Sequence, residues 1–165
     1  MGYTHYYSHK KEIAQENWDK FLADVKKVAN TFNLCNPQSI DFIKDGDGFC
    51  GNIDSAIKIG SGDGEGDTPT FTNQEICFNG VGDQAHETLY IKRDDVDGQF
   101  CKTARKEYDT MCAATLVLYK HHFGDNVSIG SDGGTEGFQE GKELVKVCCE
   151  GIELDDSKLF GDEEE

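Results

Sequence analysis

Trp18-Asp19-Lys20-Phe21-Leu22-Ala23-Asp24-Val25-Lys26-Lys27-Val28-Ala29-Asn30-Thr31-Phe32 is the stretch from which the fold can be read. Trp18, Phe21, Leu22, Val25, Val28, Ala29 and Phe32 recur at intervals of three and four, which gathers them on one face of a helix. Lys20, Asp24, Lys26 and Lys27 fall on the other side. The spacing predicts a helix over residues 14–32 that needs an apolar surface to lie on. Just upstream, Tyr3 to Tyr7 alternates aromatic and polar residues, the pattern of a short strand. Downstream, Asn36-Pro37 stops the helix, because proline cannot continue it and pushes the preceding residue into an extended conformation.

Working outward, Ser39–Lys44 and Ala56–Ile59 read as strands, and residues 60–68 as an exposed glycine-acidic loop. Thr70–Phe78 and His86–Lys92 form a hairpin candidate, with Asn79-Gly80 as the turn signal in its connection. Asp94–Gly98 reads as an acidic turn. A second helix is expected over Arg105–Phe123, with Gly124 placed to adopt a left-handed cap. A strand at Asn126–Ser131, a turn at Asp132-Gly133-Gly134 and a third helix over residues 136–149 complete the domain. Helices at both ends with strands between them imply an α+β fold, an antiparallel or mixed sheet with about three helices on one face. The expected organisation is one domain over residues 1–154 and an acidic tail over 155–165.

The chain has 165 residues, enough for a single core, and its ten Phe, six Tyr and one Trp are too many for a disordered chain. No apolar run approaches membrane-spanning length, and Met1-Gly2-Tyr3-Thr4-His5-Tyr6-Tyr7 lacks the apolar segment of a signal peptide. The expectation is a soluble, intracellular protein without a membrane partner. It would be cytoplasmic, or in a virion or host nucleus if viral. Seven cysteines, an odd number without regular spacing, read as small buried apolar residues in a reducing compartment. Neither Asp45-Gly46-Asp47-Gly48 nor the Asp63, Glu65, Asp67 run completes a calcium loop, so no metal or cofactor is implied.

The net charge is −16, from 32 acidic and 16 basic residues. Such a field repels nucleic acid; its plain reading is solubility, and its sharper reading is a basic partner of the histone-like or ribosomal kind.

Met1-Gly2-Tyr3-Thr4-His5-Tyr6-Tyr7 resembles the opening of a group of small proteins beginning M-G-Y-T-H-Y-W, of bacteria, phages and large DNA viruses. The resemblance extends through Ile76–Gly80, His86–Tyr90, Phe100-Cys101-Lys102-Thr103-Ala104-Arg105-Lys106 with Tyr108-Asp109, His122–Asp125 and Ser131–Gly133. Tyr7 replaces the group's usual Trp, and Glu107 its frequent Pro. The group brings no activity with it; it implies kinship and a viral or mobile-element setting.

Three constellations are candidates for chemistry. Lys102, Thr103, Arg105 and Lys106 are expected where the second helix begins, and could cradle a phosphate or carboxylate unless Glu107 and Asp109 neutralise them. His86 beside Glu87, and His5 on the first strand, are candidate bases or ligands, although alternation would turn His86 and Glu87 to opposite faces. Asp132 follows a strand end. Cys101 beside Lys102 reads as structural rather than nucleophilic. Two functions follow: a non-enzymatic interaction protein engaging a basic host partner, and, as the alternative, a binding protein or enzyme that takes a small nucleotide-like or phosphate anion through His5, His86, Lys102, Thr103, Arg105, Lys106 and Asp132.

Overall fold

The computed structural model describes residues 4–34, 59–64, 69–94, 96–104, 106, 108–149, 151–152 and 154. Among the described residues, six strands and three α-helices run in the order β1 (Thr4–His9), α1 (Gln15–Leu34), β2 (Thr70–Phe71), β3 (Glu75–Phe78), β4 (Leu89–Lys92), β5 (Val96–Lys102), α2 (Asp109–Phe123), β6 (Val127–Ser131) and α3 (Gln139–Cys148). The strands form two antiparallel sheets, ordered β5-β1-β6 and β2-β3-β4. The fold is α+β, with helices packed on a sheet. The expected strands at 39–44 and 56–58 and the tail at 155–165 lie outside the described residues.

α2 is the centre of the core. Every residue from Met111 to Tyr119 is buried, as befits a helix that is apolar all round. It packs against β1 of the first sheet, against α1 and against α3. α3 approaches it closely because Gly141 has no side chain: a Cβ there would lie 2.4 Å from the backbone nitrogen of Ala114. α1 presents the face expected of it. Trp18, Phe21, Val25 and Val28 are fully buried, each worth about 2 kcal/mol of apolar burial. The Trp18 ring lies parallel to Phe123, and its indole N–H donates to Thr72 O at 3.0 Å. Gly124 closes α2 at φ +54° but ψ −124°: the positive φ that suits glycine is there, while the expected left-handed cap is not.

The two sheets meet without a shared ladder between them. Instead the Tyr7 hydroxyl donates to Tyr90 O and accepts from Tyr90 N, each at 3.1 Å. It thereby satisfies the strand-type groups that β4 turns away from β3. A β-strand neighbour would do the same job with a whole backbone.

Several local expectations need correction. Residues 94–98 do not end in a turn: Val96–Lys102 is a strand whose long-range partner, β1, overrides the turn-forming Asp97-Gly98, and a register shift between Tyr7 and His9 absorbs the irregularity. Consequently Lys102 ends a strand, and α2 starts later than expected, at Asp109. Thr70–Phe78 is two strands, broken at Thr72, whose hydroxyl accepts from the backbone of Gln74 and Glu75. His86 and Glu87 precede β4 rather than belonging to it. The first part of the glycine-acidic loop is not free: Gly60 pairs with Asn79, and Gly60 and Gly64 are buried. Helix α3 is shorter than expected and is preceded by a 3₁₀ turn over Gly134–Phe138.

Candidate functional site

β1 supplies two faces, and the anticipated residues distribute between them. His5, Tyr7 and His9 point inward and are buried, while Tyr6 points out. Four residues of strand advance about 13 Å, and ten residues of helix about 15 Å. α2 can therefore answer both ends of the inward row. At one end His5 Nε2 meets Asp109 Oδ1 at 2.7 Å, and the Thr103 hydroxyl donates to the same oxygen at 2.6 Å. At the other end His9 Nε2–H donates to Arg93 O at 3.3 Å, which leaves Nδ1 to accept from the Tyr119 hydroxyl at 2.7 Å. Burial raises the pKa of Tyr7 and of Tyr119.

His5 and Thr103 are thus brought together, but on a buried carboxylate. Asp109 sits in the first turn of α2, where the helix dipole favours a negative charge. The position proposed for an outside anion is already held by a group of the chain itself. Lys102 and Lys106 are half-buried and make no ion pair among the described residues. Arg105 lies outside the described residues, as does Glu107. Asp132 is a clasp. Its carboxylate accepts from Thr4 N at 3.1 Å and from the Tyr6 hydroxyl at 2.8 Å, and its own N–H donates to Thr4 O at 2.9 Å.

His86 is exposed and joins neither His5 nor Asp109 in any contact described here. Its backbone is held by Asn79, whose Oδ1 accepts from Gly80 N and His86 N, and whose Nδ2 donates to His86 O and Gly62 O. Glu87 follows and does reach β5: its carboxylate accepts from Lys102 N at 2.8 Å, and its N–H donates to Lys102 O at 3.2 Å. Cys101 and Cys112 are buried, and burial holds the Cys112 thiol well above its ordinary pKa, which suits a packing role. Among the described residues no group of three or more His, Cys, Asp or Glu is placed to hold a metal ion.

The outward face of the same sheet carries the concave surface that the sequence did not reveal. Tyr6 is 46 % exposed and Phe100 55 %. They stand directly opposite each other across β1 and β5, and Gly130 faces Tyr6 from β6. Because Asp132 N bonds Thr4 O, alternate pairs can be assigned along the ladder. Tyr6–Gly130 is a hydrogen-bonded pair, and Tyr6–Phe100 is the closer, non-hydrogen-bonded kind, with Cα atoms about 4.5 Å apart. A groove of about 310 Å³ runs over these residues, with Gly98, Ser8 and Ser128 at its other end. A sequence signal existed in the alternation Tyr3 to Tyr7, but alternation alone does not say which aromatic is left uncovered.

No protein family, no characterised protein and no solved structure matches this chain.

Proposed function

We propose that this is a non-enzymatic interaction protein, of the viral or mobile-element kind, that engages a basic host partner through an acidic surface. The observation that carries the reading is the charge of −16 together with carboxylates that face solvent. Glu16 and Asp19 on α1, Glu143 on α3, and Asp94 and Asp125 are all exposed. Among the described residues Glu12 pairs with Arg93, and Asp24 with Lys27 and His122. An excess of negative charge steers cationic partners and repels polyanions.

The alternative, an anion-binding pocket, draws less support. Asp109 occupies the helix entrance, and Thr103 and His5 are committed to it. The test is recovery of partners from lysate at low salt, followed by release at 1 M salt, where charges are screened within about 3 Å. Basic proteins should be enriched and should leave with salt. Recovery of none, or of partners indifferent to salt, overturns the reading. A rise in melting temperature with inorganic phosphate or nucleotides, abolished by Lys106→Ala, would favour the alternative.

A further inference from the structure

The geometry points to the groove over Tyr6, Phe100 and Gly130 as the seat of one arginine side chain of that basic partner. The inference rests on the proposed function and gives it a place on the molecule. Two exposed aromatic side chains, opposite each other on neighbouring strands, offer negative π-faces, and a guanidinium is the flat cation that stacks best on them. Gly130 leaves the β6 side of Tyr6 open: a Cβ built there would meet no atom within 4 Å. The flat floor beside the ring therefore has room for a planar group. The Asp132 carboxylate lies at the ring's hydroxyl end. A carboxylate offers about four acceptor sites; Thr4 N takes one and the Tyr6 hydroxyl another, and the exposed remainder can receive a guanidinium fork.

Lys102 lies on this face too, opposite Thr4 on the β5 side, whereas Asp132 lies beyond Thr4 on the β6 side. A cation bound over Gly130 is attracted by Asp132 and repelled by Lys102. That opposition gives the inference an unusual sign: removing a lysine should strengthen binding.

The probe is a capped Gly-Arg-Gly tripeptide followed by amide NMR shifts, with Gly-Pro-Gly and Gly-Glu-Gly as comparisons. Gly-Arg-Gly should move the amides of Phe100, Ser128 and Gly130, and the other two should not. Phe100→Ala should weaken binding about fivefold. Gly130→Val, whose Cβ would meet no neighbour within 4 Å and whose methyls would fill the slot, should abolish it, and Lys102→Ala should tighten it about twofold to threefold. Shifts that map elsewhere, or survive Gly130→Val, overturn this site while leaving the proposed function standing. Preference for Gly-Pro-Gly, or concentration-dependent self-association producing the same shifts, assigns the groove to another occupant and also overturns it. Absence of any basic partner in the lysate experiment removes both ideas.

Discussion

The two faces of β1 reverse the usual expectation. Its inward row is His5, Tyr7 and His9, all polar and all buried, and its outward row carries the aromatic ring of Tyr6 half in solvent. The difference lies in what each face meets. Inward, α2 and neighbouring segments supply Asp109, Tyr119, the Arg93 carbonyl and the Tyr90 backbone, so every one of those polar side chains finds a partner at hydrogen-bond distance. Outward, nothing described covers the sheet, and glycines at 98 and 130 keep the surface low. A buried polar row fixes one arrangement of helix on strand, since any slip would strand several groups at once. An open aromatic face fixes nothing and is free to bind.

The largest effect that separates the faces is expected on raising pH. The fold holds Tyr7, Tyr119 and the thiol of Cys149 in their neutral forms; burial pushes Cys149 up to about 12. The unfolded chain ionises at ordinary values, near 9 for the thiol and 10 for the phenols. Stability is therefore full below about pH 9, declines as pH rises, and is still declining through about 12. Tyrosine absorbance followed alongside circular dichroism should show exposed Tyr6 and Tyr90 ionising before the fold is lost, and Tyr7 and Tyr119 only with it. Simultaneous, reversible ionisation of all four would break the distinction.

A smaller effect is expected from Asp109→Ala, which leaves the His5 imidazole and the Thr103 hydroxyl without their shared acceptor. Urea unfolding should show a loss of about 3 kcal/mol. A loss below about 1 kcal/mol would mean that the buried row does not organise the core. The smallest is Phe100→Ala, expected to change stability by no more than about 0.5 kcal/mol. If it costs as much as Asp109→Ala, the outer ring is part of the packing and the groove is not a free surface.

How much of this was legible in the sequence follows from range. α1 was readable because its seven apolar positions repeat locally, and Gly124 because a helix stop is a local event. The hairpin of β3 and β4 and the strand β6 were legible for the same reason, as was the α+β class. β5 was not. Asp94-Asp95-Val96-Asp97-Gly98 has turn chemistry, and only pairing with β1, far back in the chain, makes a strand from Val96 onward. The charged run Lys102–Lys106 was placed at a helix entrance for that same error. Thr103 and His5 do meet, yet on a common partner 104 residues from His5, a separation no spacing rule spans. The groove escaped because two of its makers are glycines, which contribute by what they lack.

The hydroxyl of Tyr7 fastens β4 to β1 as a pin fastens a panel, at a point, while the Glu87–Lys102 bonds tie the approach to β4 to the end of β5. The amide proton of Tyr90 is then a natural reporter: while the pin holds, its exchange with solvent is slow, and a swing of the β2-β3-β4 panel that leaves every strand intact would quicken that single proton. Docking of the sheets and integrity of the sheets become separately observable, because at Tyr90 a single side-chain oxygen, and not a backbone ladder, takes both groups.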